Sequence, residues 1–506
     1  MFMFTLQFAM CIVYLSGLRA NMIRLSKNQN TSTYSGRSSS NNALTDLHNN
    51  AVSISIQQDD VKEDGSAFCL LIKDDNDLLS EWIAYHYHVF NMRRLIVAMD
   101  PTSKTSPLDV LQKYDANFSD LHYTLLNDDD YMPSYFLDGP SQDFTKVSFE
   151  SGDDPRFKSA QDILTGSFES LYSLAPNHMS KKFVKEHEDS IRNDLLHVNN
   201  HYFRQKTFVS ECYAKVKKEQ DEYNKKKNNK QDDDMKGISW TVHIDTDEFL
   251  VPNPWMVSYV KKDSDEDEKD GLTRKSLHDM FPQSATAGSL WSLFNDYRAS
   301  TASITSSKSL SCVMMPRVLF GDKEDTDSQD KVTSTSTAIW YHNKFESLRW
   351  KYHMDFNIAD GLVKGRPKLY PKGMIDVSQL DTHNDDIFQK KIIHSFHQPS
   401  KDGCLDMKAS KWIYNEHRFE QPLGVYHYLG SYERYMSRGD ERRDRRTFDM
   451  KNEAANYAKG DLNDEKLNDD EEVEWWISGW LDSFVKVHGS EKVLSVLGED
   501  VYAIVQ

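Results

Sequence analysis

The stretch of residues 240–251 constrains the fold of this chain more than any other part of the sequence. Its sequence is Trp-Thr-Val-His-Ile-Asp-Thr-Asp-Glu-Phe-Leu-Val. About five apolar, β-branched and aromatic residues in a row are typical of a buried strand. The acidic residues then follow at the carboxyl end of that strand, where open α/β sheets bind their ligands. The stretch therefore predicts an α/β fold with a polar site at one sheet edge.

Asp245 and Asp247 are two residues apart, so in an extended chain both side chains point to the same side. Two hard oxygen ligands on one side suit a divalent cation such as Mn²⁺ or Mg²⁺ that also holds a diphosphate. The alternative is a turn with solvated acids after a core strand. Because apolar residues flank these acids on both sides, we favour a functional metal site.

Strands and helices alternate in the first part of the folded region. Apolar runs predict strands at 67–72, 94–99 and 121–126, a helical period covers 77–90, and a short helix is expected near 108–114. This βαβ progression implies a mainly parallel sheet. Lys73 and Asp100 follow two of the strands, so we expect them at the same sheet edge as Asp245 and Asp247.

The first predicted helix has acidic residues at its start. Residues 74–77 are candidates for its N-cap, since Asp and Asn accept hydrogen bonds from the first free N–H groups. Glu81 lies in the early turns, where the helix dipole favours an acid. Both features are explained by helix formation alone.

Composition limits the classes of partner. The chain has 506 residues, enough for one large domain or two ordinary domains with tails. Its net charge of −18 argues against nucleic acid or an anionic membrane surface as a partner. A nucleoside diphosphate remains compatible with this charge if a metal ion and a few basic residues bind it.

The five cysteines lie at positions 11, 69, 212, 312 and 404, and none has a zinc-like spacing. Cys11 is part of the N-terminal apolar run. The other four are compatible with two disulfides in an oxidising compartment and equally with four buried thiols. Their spacing leaves both interpretations open.

The N-terminal sequence predicts a targeting signal. Residues 1–18 are apolar and contain no charge, so we expect a signal anchor or signal peptide within residues 1–25. Residues 26–65 are rich in Ser, Asn and Thr and are predicted to form a flexible stem. Asn30 and Asn117 begin N-glycosylation sequons, which only a chain in the secretory pathway can use.

Several blocks of the sequence resemble family 92 glycosyltransferases and related family-2-like enzymes. They are Phe-Cys-Leu-Leu-Ile-Lys-Asp-Asp at 68–75, Glu-Trp-Ile-Ala-Tyr-His at 81–86, Ile-Val-Ala-Met-Asp at 96–100 and Ile-Asp-Thr-Asp-Glu-Phe at 244–249. The last block resembles the DxD motif of that family. The His-Tyr, Ser, Glu and basic residues of 427–438 are similar to its C-terminal signature. The chain departs from the family in having Asp74-Asp75 where Asn-Glu is usual.

The resemblance implies a fold of the GT-A type, a Rossmann-like, mainly parallel sheet flanked by helices. It covers residues 66–440 in scattered blocks, with insertions at about 127–180 and 258–272. Residues 441–506 then hold a charged segment and a C-terminal amphipathic helix, for which apolar residues recur at helical spacing over 473–484. We expect this helix to pack on the domain, with membrane contact as the alternative.

The resemblance also implies the residues of the site. The expected metal ligands, for Mn²⁺ or Mg²⁺, are Asp245, Asp247 and His427. The expected donor-binding residues are Lys73, Asp100, Asp245 and Arg438. An inverting transfer needs a carboxylate base near the acceptor hydroxyl, and the candidates are Asp355, Glu416 and Glu346. The alternative for His427 is a packed, hydrogen-bonded histidine.

The implied function is transfer of a sugar from a nucleotide-sugar donor to a glycan or glycoprotein acceptor. The implied location is the Golgi membrane, with the catalytic domain in the lumen and the N-terminal segment in the membrane, or alternatively the ER or the secreted fraction. Two rival functions remain. One is a phosphatase of the haloacid-dehalogenase type, whose Asp-x-Asp motif normally lies on the first strand. The other is a non-catalytic sugar-binding protein of the same fold.

Overall fold

The computed structural model describes residues 65–132, 166–174, 180–228, 237–253, 281–304, 312–321, 345–350, 371–380, 393–395, 398–399, 422–437, 445, 448–449, 451–452 and 476–498. The predicted N-terminal signal and the stem up to residue 64 lie outside these ranges, as do most of the two predicted insertions. Within the described part, no helix is both long enough and apolar enough to cross a membrane.

Helices and strands alternate through the first half of the chain. They are β1 (Ser66–Ile72), α1 (Asn76–Val89), β2 (Met92–Met99), α2 (Leu108–Asn117), β3 (His122–Leu126), α3 (Asp128–Tyr131), α4 (Phe168–Leu174), α5 (Lys181–Glu186) and α6 (Glu188–Asn228). The predicted strands and both predicted helices of this half are confirmed, within a few residues at their ends.

Short strands predominate in the second half. The elements are β4 (Trp240–His243), β5 (Glu248–Pro252), α7 (Ser289–Ile304), β6 (Cys312–Met315), β7 (Arg317–Phe320), α8 (Glu346–Arg349), β8 (Lys372–Asp376), a 3₁₀ turn (Val377–Gln379), β9 (Ile393–Ser395), β10 (Gln398–Pro399), β11 (Leu423–Tyr428), α9 (Tyr432–Ser437), α10 (Trp480–His488) and α11 (Ser490–Leu497).

A six-stranded sheet with the order β3-β2-β1-β4-β8-β6 forms the centre of the fold. The strands β1 to β4 are parallel to one another, whereas β8 runs antiparallel to both β4 and β6. Nearly every side chain of β1 and β2 is buried, as expected for parallel strands covered on both faces. The expected α/β class with a mostly parallel sheet is therefore confirmed.

Helices cover both faces of this sheet. On one face, Phe68 and Leu70 of β1 pack in the main core together with residues of α1, α7, α10 and α11. On the other face, Ala67 and Cys69 pack against the buried stripe of α6. Successive residues of β1 alternate between the two cores, as the pleat of a strand requires.

A disulfide joins the sheet to α6. Cys69 of β1 is bonded to Cys212 of α6, across 143 residues of sequence. The sequence left open whether these cysteines are disulfides or buried thiols, and Cys69 and Cys212 form a disulfide. Cys312 is also disulfide-bonded.

A second sheet has the order β5-β11-β7, and at two points the chain passes directly from the six-stranded sheet into it. The first crossing is the connection from β4 to β5, and the second is Pro316, between β6 and β7. The apolar run 312–320 therefore forms two strands in different sheets. Proline lacks the N–H that a continuing strand would need, so the strand breaks there.

The C-terminal helices belong to the main core. The single helix predicted over 473–484 extends further in the structure, as α10 and α11, which are separated by Gly489 with φ +81°. His88 of α1 is hydrogen-bonded to Ser483 of α10 at 2.9 Å. The expectation that this amphipathic segment packs on the domain is confirmed.

Candidate active site

The carboxyl ends of β1, β2 and β4 lie at one edge of the six-stranded sheet. The backbone N–H of Asp100, which follows β2, donates to the carbonyl of Ile72 at 2.9 Å. The hydroxyl of Thr246, beyond β4, donates to the carboxylate of Asp75 at 3.0 Å. The prediction that Lys73 and Asp100 share an edge with the acidic residues after β4 is thus confirmed by the topology.

The acidic residues form a turn, not the end of an extended strand. β4 ends at His243 and β5 begins at Glu248, whose N–H donates to the carbonyl of Asp245 at 3.1 Å. We call residues 245–248 the acidic turn. The extended chain from which we expected Asp245 and Asp247 to point to one side is therefore wrong, because the chain leaves one sheet and enters the other at this point.

Asp247 faces His427, which is 180 positions away in the sequence. His427 lies on β11, opposite Glu248 of β5, and the N–H of Tyr428 donates to the carbonyl of Asp247 at 2.9 Å. This pairing brings the Nε2 atom of His427 to 3.5 Å from Oδ2 of Asp247, and both side chains are largely buried. Sheet pairing therefore joins two of the predicted metal ligands.

Arg317 determines which nitrogen of His427 carries a proton. Its guanidinium lies 2.6 Å from Nδ1 of His427. Because a guanidinium can only donate, Nδ1 must accept, and the neutral ring carries its proton on Nε2, toward Asp247. Burial and the Arg317 charge lower the pKa of His427, although Asp247 opposes them, so the ring is neutral. In this arrangement His427 orients the Asp247 carboxylate, and its role as a metal ligand stays a prediction.

Two buried cations hold the other acids of the turn. The ammonium of Lys372, at the start of β8, lies 3.0 Å from Asp245 and 2.9 Å from Glu248. Arg317 contacts the second oxygen of Glu248 at 2.5 Å. The side chains of Lys372 and Glu248 are both 0% exposed. The sequence analysis missed Lys372, for which the available signal is a lysine opening the short run Lys-Gly-Met-Ile-Asp.

Asp74 and Asp100 shape the loops at this edge. Asp74 accepts hydrogen bonds from the backbone of Lys104 at 2.6 Å and Thr105 at 3.0 Å. Burial raises the pKa of Asp74, but these and the side-chain hydrogen bonds from Ser103 and Thr105 outweigh it and lower the pKa. Asp100 accepts from the N–H and hydroxyl of Thr102.

The predicted N-cap of α1 is wrong at the side-chain level. The residue at the cap position is Asp75, which makes no capping hydrogen bond. Asp74 has a φ of +55°, a left-handed conformation that Asp tolerates, and its carboxylate is directed to the loop at 103–105 instead. Asp74 and Asp75 therefore serve loop and turn geometry, through the bonds of Asp74 and the contact of Asp75 with Thr246.

Glu81 caps a helix other than its own. Its buried carboxylate accepts the N–H groups of Glu346 and Ser347, each at 2.9 Å, at the start of α8. The dipole explanation from its position in α1 is thus incomplete, because the side chain serves α8. Burial is the main cause that raises the pKa of Glu81 to about 7.

Of the candidate bases, only Glu346 lies within the described residues. Its carboxylate accepts from Arg434 at 2.7 Å and from the indole of Trp350. These partners hold it in the interior, which argues against it as the base. Asp355, Glu416 and the diphosphate candidate Arg438 lie outside the described residues.

The carboxylate of Asp247 could bind a metal ion whose other ligands are diphosphate oxygens and water. Within the described ranges, no three His, Cys, Asp or Glu side chains converge as a metal site. Asp247 and His427 lie 3.5 Å apart, with the Nε2 proton of the neutral ring directed at the carboxylate. Mg²⁺ and similar hard cations are commonly held by one or two carboxylates together with substrate phosphates and water. A metal ion bound mainly through Asp247 is compatible with these residues.

No protein-family model, curated protein or solved structure matches this chain. The resemblance to family 92 glycosyltransferases therefore depends on the motif residues alone.

Proposed function

We propose that this chain is a metal-dependent glycosyltransferase of the GT-A type. It would transfer a sugar from a nucleotide-sugar donor, UDP- or GDP-linked, to a glycan or glycoprotein acceptor, with inversion. The observation that carries the proposal is the meeting of Asp247 and His427 at the carboxyl edge of the parallel strands. The two residues come from the separate motifs that resemble the family.

The topology of the sheet supports this assignment. The chain adds β2 and β3 on one side of β1 and then places β4 on the other side of it. The topological switch point of the sheet is therefore between β1 and β4. Open α/β sheets bind nucleotides in the crevice outside the carboxyl ends of the strands at such a point. The acidic turn follows β4 and Lys73 follows β1, and the contact of Thr246 with Asp75 joins the two connections.

The residues of the edge have distinct roles in the proposed reaction. A divalent cation at Asp247 would neutralise charge on the departing diphosphate. Asp245 lies at the same turn, where its one-third exposed carboxylate can meet the ribose or the metal. Lys73 follows β1 and Asp100 follows β2, and both would contact the nucleotide part of the donor. The acceptor's proton would pass to Asp355 or Glu416, since Glu346 is held by Arg434 and Trp350.

The disulfide supports a lumenal location. Disulfides such as Cys69–Cys212 form in oxidising compartments and are rare in the cytosol. Together with the apolar segment at residues 1–18, this favours a Golgi membrane enzyme whose catalytic domain lies in the lumen. The N-terminal segment would then be the contact with the membrane.

A donor panel tests the proposal. The full-length protein is incubated with UDP- and GDP-sugars and glycan acceptors, with Mn²⁺ or with a chelator, and release of nucleoside diphosphate is followed. We expect release from one donor that requires both Mn²⁺ and an acceptor. Release of phosphate from simple phosphate esters would instead establish the phosphatase. Mn²⁺-dependent nucleotide binding without any turnover would establish the sugar-binding protein, and both results would overturn the proposal.

A further inference from the structure

The two crossings between the sheets meet in a buried cluster of ions. Lys372 belongs to the six-stranded sheet, and Glu248 and Arg317 open strands of the three-stranded sheet. One oxygen of Glu248 lies 2.5 Å from Arg317 and the other lies 2.9 Å from Lys372. This cluster therefore ties the sheets together directly beside the acidic turn.

Glu248 is enclosed inside the protein. Besides the two cations, its carboxylate accepts the backbone N–H of Asp245 at 2.9 Å, which closes the turn from within. Its own backbone carbonyl accepts from the indole of Trp82 at 3.0 Å. A side chain that is 0% exposed and bonded in this way cannot contact a substrate or a solvent-borne metal ion.

Lys372 is likewise shielded, although a lysine near a proposed diphosphate site would usually be taken as a phosphate ligand. Its side chain is 0% exposed, and its ammonium contacts both Asp245 and Glu248, the first and last residues of the turn. One charge therefore holds the two ends of the turn at a fixed separation. Asp247 lies between these two ends.

We propose that Lys372 and Glu248 are positioning residues that fix the acidic turn in the conformation which presents Asp247. They act through the turn and touch neither donor nor acceptor. The expected loss of cation and nucleotide binding rests on the proposed function, whereas the expected loosening of the acidic turn does not. Removing the Lys372 charge should loosen residues 245–248 and weaken binding of a cation with a nucleoside diphosphate.

The test uses Lys372→Met, Lys372→Arg and the double variant Lys372→Met with Glu248→Gln, all in the full-length protein. The double variant removes both charges of the Lys372–Glu248 pair, so that neither is left without the other, and it covers the case in which Lys372→Met fails to fold. The control is Arg94→Met, which breaks the ion pair of the mostly buried Arg94 with the 41% exposed Glu219 at the opposite end of the same sheet. Hydrogen exchange of peptides that cover 240–252, thermal stability, and Mn²⁺ binding with UDP and GDP are measured.

We expect amides of the acidic turn to exchange at least 10-fold faster in Lys372→Met than in Arg94→Met. We expect affinity for Mn²⁺ with the preferred nucleotide to fall at least 10-fold in Lys372→Met and to be unchanged in Arg94→Met, with Lys372→Arg restoring part of it. The double variant should regain thermal stability without regaining either property.

Two results would overturn the inference. One is exchange of the turn that is no faster than in the Arg94→Met control. The other is recovery of nucleotide affinity together with stability in the double variant, since Lys372 would then be important for folding alone. A wild-type protein that binds neither nucleotide with Mn²⁺ would overturn the proposed function, and the exchange data would still decide whether Lys372 positions the turn.

Discussion

At the residue scale, buried acids of this chain are held by donors from distant parts of the sequence. Glu81 accepts two backbone N–H groups and the hydroxyl of Ser347, 266 residues away. Glu248 is held by Lys372 and Arg317 in the same manner. A sequence indicates that an acid is present but not which donors will reach it, so the sequence analysis explained Glu81 from its own helix and missed Lys372.

The pH dependence of stability tests the environment of Glu81. Its pKa is raised from 4.5 to about 7, mainly by burial, so its contribution to stability is complete below pH 4.5 and is lost as the pH rises through 7. Glu81→Gln cannot lose a proton there. We expect its free energy of unfolding, relative to wild type, to increase by up to about 3 kcal/mol between pH 4.5 and 7.

Urea unfolding at several pH values measures this difference. Asp74→Asn is the control of opposite sign, because the lowered pKa of Asp74 gives stability that is present above pH 3.8 and lost as the pH falls below it. A difference between Glu81→Gln and wild type that does not change from pH 4.5 to 7 would contradict the account of Glu81.

At the scale of elements, the spacing and number of apolar residues predicted the strands and helices of the first half. Each of these elements is a continuous run of residues with one or both of its faces buried. The second half was predicted less well. Its strands have only two to six residues, and two of them begin where the chain crosses between sheets, at residues 244–247 and at Pro316. The acidic turn appeared to be the end of a strand because a sequence pattern carries no signal for a change of sheet.

The disulfide between β1 and α6 is expected to stabilise the fold. Cys69 and Cys212 are both 0% exposed, and the bond closes a span of 143 residues. Replacing both residues with alanine should lower the free energy of unfolding by about 2–5 kcal/mol. Denaturant unfolding of the double variant measures this, and a variant as stable as wild type would contradict the bonded pair.

The C-terminal helices are expected to be a structural part of the domain. Trp480 of α10 is 0% exposed, contacts the rings of Tyr85 and Phe345, and donates to the hydroxyl of Ser347. Trp480→Ala should therefore destabilise the protein by about 3–5 kcal/mol. On the same helix, Val487 is 53% exposed, so Val487→Ala should change stability by less than about 0.5 kcal/mol. Equal effects of the two substitutions would contradict this packing.

At the scale of the whole molecule, the described elements belong to one compact unit in which residues far apart in sequence converge on one sheet edge. The sequence analysis predicted that edge from the rule that parallel strands end together, and it named Asp245, Asp247, Lys73 and Asp100. It could place His427 there only through the resemblance, since the pairing of β11 with β5 has no local signal. The contacts of Lys372 and Arg317 with the acidic turn join residues far apart in the sequence, so they are visible only in the folded structure.

The central claim is that Asp247 holds the cation on which transfer depends. The most direct measurement compares this buried acid of the acidic turn with a buried acid of β8. Asp247→Asn keeps the size of the side chain and removes its charge, and Asp376→Asn does the same at the other end of β8, away from the edge. Mn²⁺-dependent release of nucleoside diphosphate is measured for both and for wild type. We expect release to fall at least about 100-fold in Asp247→Asn and to remain near wild type in Asp376→Asn. Undiminished release from folded Asp247→Asn would contradict the claim.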